Sequence, residues 1–364
     1  MLLHGIFPPI TTPFGPDGQV YFKKLEHNVG RYSQAPLAGL VALGSTGEAI
    51  LLSDQERRDV LRCVREAAAP DKVLIAGTGA ESAVETLRLT EYAAELGYEV
   101  AMVRTPHYYK SQMQRPENML AFYRYVADRS PLPVIIYNFP QATAYDIPIE
   151  VVIALAEHPN LIGIKESCGS IEKVRLLVQG TRHIGRTAKV TETFQALTPR
   201  MLERGGEAKA EAMVPAEALS VSVSVSAGSS CASLGQSPAA GGEQAIKTRE
   251  KEVGFQVLVG SADKFYDLLQ AGAVGGILAF ADAAPTAMYE VYAAYHDGDR
   301  ELAREKQQRV TTAAAKVVGA MGIPGVKYAC DLNGYYGGPL RLPLLPLTME
   351  DKREVEKLMR DIKN

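Results

Sequence analysis

Leu161-Ile-Gly-Ile-Lys-Glu-Ser167 is a short apolar strand pattern that ends in an ammonium group. Outward from it, β-branched and apolar runs bounded by Gly or Pro recur at 5–14, 37–44, 72–79, 99–106, 133–140, 255–262 and 274–281. Most are followed by a segment of helical period. After the second run, Ser53 and Glu56 form a capping box, and Leu61, Val64 and Ala68 then make an apolar stripe. Eight strands alternating with helices point to an α/β fold, a parallel (β/α)₈ TIM barrel.

Residues 1–284 carry the barrel pattern, and 285–364 hold helical patterns without a further strand, so a helical C-terminal region is expected there. Its last segment has Thr348 capping through Asp351, with Val355, Leu358, Met359 and Ile362 along one face. One interval breaks the rhythm. The runs at 161 and 255 start 94 residues apart, against 19 to 35 elsewhere, which leaves roughly sixty residues beyond barrel norms. This surplus spans about 183–253 and centres on Ser220-Val-Ser-Val-Ser-Val-Ser226 and a Gly, Ala and Ser-rich tail. That composition reads as a solvated loop, with a partner-docking arm as the sharper alternative and an amphipathic stretch at 189–204 within it. Following the sixth helix and preceding the seventh strand, the insert should emerge at the end of the barrel opposite the active face.

Composition excludes several classes of function. The 364 residues carry 39 Lys and Arg against 42 Asp and Glu, a net charge of -3 with no basic run, so a nucleic-acid partner is not expected. No apolar stretch reaches spanning length and the start shows no leader pattern, which argues for a cytoplasmic protein with no membrane partner. The four cysteines are far apart and the six histidines scattered, so neither a disulfide framework nor a metal centre is suggested, and no cofactor is expected.

Chemistry enters through Lys165. A buried amine is unfavourable unless it is paired or its pKa falls, and a lowered pKa makes the neutral nucleophile available near pH 7. The alternative, a lysine at a strand end that snorkels to solvent, is the common one for a single residue. The other strand ends shift the balance, because they are unusually polar. Gly44-Ser-Thr-Gly-Glu48 offers hydroxyls and backbone N–H groups suited to a carboxylate. Tyr137-Asn-Phe-Pro140 places a phenol one strand before Lys165, where it could move protons. Thr105-Pro-His-Tyr-Tyr109 sets two tyrosines at a loop tip, an oligomer contact or a catalytic element. Ser167 faces the same side as Lys165 by strand alternation and is a candidate substrate contact, and Gly260-Ser261, ending the seventh run, is another pocket-facing position that could contact substrate through its backbone or serve as a structural turn.

Taken in order, these motifs resemble the dihydrodipicolinate synthase and N-acetylneuraminate lyase superfamily, with its GxTGE, TPxY, YNxP and GIKxSxG pattern. The resemblance implies that Lys165 forms a Schiff base, Tyr137 shuttles protons, and Ser45 and Thr46 hold the carboxylate of a 2-oxo acid. It further implies that Thr46 links Tyr137 to a tyrosine from a neighbouring subunit. The TPxY alignment makes that residue Tyr108, with Tyr109 adjacent, and implies a homotetramer built as a dimer of dimers.

Within the superfamily, the synthase branch carries an arginine two residues after the proline of YNxP, where Ala142 stands here. Alanine supplies no cation for a second carboxylate. The stretches Gly5-Ile-Phe-Pro-Pro-Ile-Thr-Thr-Pro-Phe14, Phe255–Ala262, Gly322–Lys327 and Gly334–Pro343 are similar to 4-hydroxy-2-oxoglutarate aldolases. The expectation is therefore a Schiff-base aldolase that cleaves 4-hydroxy-2-oxoglutarate to pyruvate and glyoxylate. Alternatives are a lyase of N-acetylneuraminate or a keto-deoxy sugar acid, dihydrodipicolinate synthesis, and a non-catalytic ligand-binding or scaffold barrel.

Overall fold

The computed structural model describes residues 2–191 and 248–362. Among the described residues there are ten strands: β1 (Gly5–Phe7), β2 (Gly39–Ala42), β3 (Val73–Gly77), β4 (Val100–Arg104), β5 (Val134–Asn138), β6 (Leu161–Glu166), β7 (Arg186–Thr191), β8 (Thr248–Val253), β9 (Gln256–Val259) and β10 (Gly275–Ile277). Eight of them form one parallel sheet in the order β1-β10-β9-β6-β5-β4-β3-β2. The ends meet through backbone bonds from Ala38 to Ile6 (3.0 Å), Val41 to Pro8 (3.0 Å) and Ile10 to Val41 (3.0 Å), which bring β1 and β2 together as a (β/α)₈ barrel.

Each expected run contains a strand, but several strands are shorter than their runs. β1 stops at Phe7 because Pro8 and Pro9 have no N–H to give to a ladder. β10 stops at Ile277, and the rest of its run turns into a short helix, Phe280–Ala283. The insert adds an element that the sequence did not suggest. β7 and β8 pair as a separate two-stranded sheet at its edges, where the sequence suggested no strand. The remainder of the insert, including most of the 189–204 stretch, lies outside the described residues.

Two apolar cores follow from the strand alternation. Inside the barrel lie Leu3, Phe7, Val41, Ile75, Met102, Ile135, Leu258 and Ile277, among others. Outside it, residues of opposite parity such as Ile6, Leu40, Leu74, Ala101, Ile136 and Ile164 pack under the helices. Such strands, buried on both faces, read as continuous apolar runs. The helix Asp54–Ala67 begins with the expected capping box of Ser53 and Glu56, and Leu61 and Val64 are buried beneath it. The helix Met349–Met359 starts with a Thr348–Asp351 capping box and buries Val355 and Met359.

Helices Pro285–His296, Arg300–Ala314 and Gly322–Leu332 precede that last helix. Gly322–Leu332 is tied to the barrel mouth by a buried ion pair. Lys327 Nζ, on a residue 1% exposed, donates to Glu48 Oε1 at 2.5 Å and to the carbonyls of Thr12 (2.9 Å) and Pro339 (2.8 Å). The other Glu48 oxygen accepts from the Arg341 N–H (3.3 Å), and the Arg341 guanidinium pairs with Glu56. Burial draws the Lys327 pKa down while Glu48 opposes the shift, so the charge depends on its partner. Removing one member of such a pair leaves the other uncompensated. Lys327→Ala should therefore cost about 3–5 kcal/mol in urea unfolding, and Lys327→Met with Glu48→Gln should recover part of that loss.

Candidate active site

β4, β5 and β6 place three polar side chains in one row. Arg104 is the register partner of Tyr137, and Tyr137 of Lys165. Residues paired in this way in a parallel sheet project to the same side. Met102 and Ile135, two residues earlier on their strands, are in the inner core, so the row crowns the barrel interior at the C-terminal strand ends. Active sites of this fold lie at that end.

Lys165 is 4% exposed. Its Nζ lies 4.1 Å from the centroid of the Tyr137 ring, the contact of a cation or amine with a π face. Burial lowers its pKa to about 7, only partly opposed by Asp282. The amine is therefore neutral in a large fraction of molecules at neutral pH. Tyr137 is also buried, and burial raises its pKa to about 12, against a hydrogen bond from Ser45 and the charge of Arg104. It stays a protonated phenol, with Phe139 stacked beside it at 5.8 Å.

The loop after β2 is bracketed by two non-glycine residues in the left-handed region, Leu43 (φ 59°) and Glu48 (φ 54°). Such conformations persist where surrounding contacts over-determine them, and here Glu48 is anchored by Lys327. Between them, Ser45 Oγ lies 3.1 Å from Tyr137 Oη. The expected link from Thr46 to Tyr137 is not formed. Ser45 takes that place, because the turn from Gly44 to Glu48, closed by bonds from Gly47 to Gly44 and Glu48 to Ser45, directs the earlier hydroxyl at the phenol. Thr46 is buried beside it at 8% exposure. The Ser45 and Thr46 N–H groups have no acceptor among the described residues, which suits an anion.

Ser167 Oγ is buried without a hydrogen-bond partner and packs against Gly260, where an added Cβ would overlap it. Gly260 itself donates to the Glu166 carbonyl at 2.9 Å. Ser261 lies farther out, its Oγ near Gly169. Tyr108 and Tyr109 are 76% and 70% exposed, their rings edge to face at 5.2 Å, and do not reach Tyr137 within this chain. Among the described residues no group of three His, Cys, Asp or Glu side chains is arranged to hold a metal ion, and no helix is long and apolar enough to cross a membrane.

A cavity of about 280 Å³ opens over this row, walled by Gly44, Ser45, Arg104, Tyr137, Phe139 and Ala142 among others. Lys165 is not in its wall, whereas the other two members of the row, Arg104 and Tyr137, are. Arg104, Asp282 and one hydrogen-bonded network escaped the reading of the sequence. Arg104 was legible as the one charge ending its run. Asp282, buried with neither carboxylate oxygen hydrogen-bonded and its pKa raised by burial, gave no signal in a stretch of small residues. The Asn138–Glu166 bonds of 2.9 Å, with Lys173 at 3.1 Å from Glu166, join residues that lie on the outer face of their strands.

The family model for the dihydrodipicolinate synthetase family matches residues 2–213 and 238–362. A 4-hydroxy-tetrahydrodipicolinate synthase of Methanothrix thermoacetophila is 27% identical over 361 residues, 98% of this chain and 96% of the relative. One from Natronomonas pharaonis is 35% identical over 202 residues, 56% of this chain and 67% of the relative. Among solved structures, the chloride-inhibited dihydrodipicolinate synthase of Acinetobacter baumannii complexed with pyruvate has a TM-score of 0.75 at 25% identity, covering 100% of this chain and 99% of that one. Dihydrodipicolinate synthase from Bacillus anthracis has the same fold, with a TM-score of 0.75 at 22% identity over 100% of both chains.

An amine with a pKa near 7 differs from surface lysines, which titrate near 10.4. Reductive methylation with formaldehyde and mass mapping across pH should show Lys165 labelling rise with a midpoint near pH 7, while surface lysines remain weakly reactive until several units higher. A midpoint above 9 for Lys165 would contradict the buried, unpaired amine. With the row of polar side chains at the strand ends and a family match across both described parts, the chain belongs to the dihydrodipicolinate synthetase family.

Proposed function

We propose that the protein is a pyruvate-handling Schiff-base aldolase whose substrate is a 4-hydroxy-2-oxo acid, 4-hydroxy-2-oxoglutarate being favoured. The observation that carries this reading is the buried, near-neutral amine of Lys165 against the Tyr137 ring. The Lys165 amine adds to the C2 carbonyl, and loss of water gives a protonated imine that serves as the electron sink. The substrate carboxylate is held by the hydroxyls and N–H groups of Ser45 and Thr46. Departure of the C4 hydroxyl proton breaks the C3–C4 bond and releases the aldehyde. The resulting enamine takes a proton at C3, and hydrolysis frees pyruvate and regenerates the amine.

Tyr137 handles the protons of these steps. A phenol with a pKa near 12 is a poor base by itself. Its 3.1 Å contact with Ser45 supplies a relay, in which one hydroxyl gives a proton as the other accepts one. Ser167, just past β6 and buried without a partner, packs against Gly260, which follows β9, and both are assigned here to substrate binding. Ser261, next in the chain, is assigned to substrate through its backbone. Tyr108, with Tyr109 beside it, is the residue given across an interface to a second copy. Two exposed tyrosines on one loop favour such a contact, which requires at least a dimer; the homotetramer of two dimers is what the family resemblance implies.

A second reading is synthesis of 4-hydroxy-tetrahydrodipicolinate, the reaction printed in the names of the relatives from Methanothrix thermoacetophila and Natronomonas pharaonis. Ala142 in the cavity wall weighs against it. Both readings share the imine at Lys165. Incubation with pyruvate and borohydride should add a permanent mass to Lys165 and abolish activity, and an unmodified Lys165 would reject both. Coupled detection of glyoxylate from 4-hydroxy-2-oxoglutarate should then exceed condensation of pyruvate with aspartate semialdehyde, the reverse order favouring the second reading. Tyr137→Phe should lower kcat about 10²- to 10⁴-fold while leaving pyruvate capture detectable.

A further inference from the structure

Arg104 lies in the cavity wall with Phe139 and Ala142, on the strand next to Tyr137 and in register with it. Space for its stem is made by Gly79, where a Cβ would sit 2.8 Å from Arg104 Cγ. One guanidinium nitrogen is used: Nη1 donates to Glu81 Oε1 at 2.9 Å and lies 2.7 Å from His107 Nδ1. Nε and Nη2 have no acceptor among the described residues. The side chain is 25% exposed, so these donors are not left in dry protein.

Glu81 is not simply the counter-charge. Its second oxygen accepts from the N–H groups of His107 (3.0 Å) and Tyr108 (2.9 Å), so its charge is shared with the loop after β4. It thus works as a tether that fixes both the loop and one corner of the guanidinium. The opposite edge of the fork remains for a ligand, and a planar guanidinium matches a carboxylate through two parallel N–H bonds.

Resting on the Schiff-base reading, we propose that Arg104 binds the second carboxylate of a five-carbon 2-oxo dicarboxylate whose C2 is joined to Lys165. Arg104 and Lys165 are two strands apart, about 10 Å between backbones at the usual strand spacing. A chain with its first carboxylate at Ser45 and Thr46 and its C2 at Lys165 extends past Tyr137 toward Arg104. The cation that Ala142 cannot supply thus comes from the neighbouring strand. It makes Arg104 a determinant of specificity, with Glu81 as its positioning residue.

The test compares 2-oxoglutarate with 2-oxopentanoate, which has the same number of carbons and a methyl in place of the second carboxylate. Half-saturating concentrations for borohydride capture on Lys165 are measured in the full-length wild type, Arg104→Gln and Arg104→Lys, with pyruvate as reference. The wild type should prefer 2-oxoglutarate, and R104Q should lower that preference about 30- to 100-fold, with R104K in between. A purely structural loss would weaken both acids alike and leave the ratio unchanged. A preference ratio in both variants within threefold of the wild type overturns the assignment, as does a wild type that captures pyruvate but neither five-carbon acid. If the wild type fails to capture pyruvate as well, the Schiff-base reading itself has failed. Should R104Q not fold, the ratio for R104K decides.

Discussion

The site depends on keeping one lysine amine out of water without giving it a carboxylate partner. An ion pair would restore the ordinary basicity of Lys165 and remove the nucleophile, whereas solvent would protonate it. The barrel meets this constraint by surrounding the amine with the Tyr137 ring and apolar neighbours of the inner core. The nearest acid to influence it, Asp282, is itself buried, and burial raises its pKa well above the usual carboxylate range. Burial thus depresses the ionisation of both groups, and their mutual attraction only partly opposes it. The rigid strands β5 and β6 fix the spacing, since a shift of one residue in their register would turn either side chain to the outer face.

Polar groups at the mouth divide into two sets by strand parity. Arg104, Tyr137 and Lys165 project inward, while Asn138 and Glu166, one residue later, project outward and join Asp146 and Lys173 beneath the helices. The inward set has unsatisfied donors and a near-neutral amine. The outward set is fully bonded. Adjacent residues of one strand thus serve opposite ends: chemistry on one face and cohesion on the other.

Much of this was readable in the sequence because parallel strands covered on both sides leave continuous apolar runs, and the residue ending each run marks the active face. Lys165, Tyr137 and the Ser45-Thr46 loop were found in that way. Strand length was less legible, since Pro8 and Pro9 keep an apolar character while ending the ladder. Choosing between Ser45 and Thr46 as the partner of Tyr137 required the left-handed turns at Leu43 and Glu48, which no composition rule specifies for these side chains. Arg104 shows a different lapse: its charge was visible, but its direction follows only from register with Tyr137. Lys327 and Glu48, 279 positions apart, could be joined only by the fold.

That last pair carries an engineering consequence. The loop after β2 takes its shape partly from a lysine near the far end of the chain, so the two segments depend on each other. A chimera that grafts the barrel of one relative onto the terminal helices of another, with a junction near residue 285, would separate them. Unless positions 48 and 327 travel together, the hybrid would close its barrel yet carry a misshapen loop after β2.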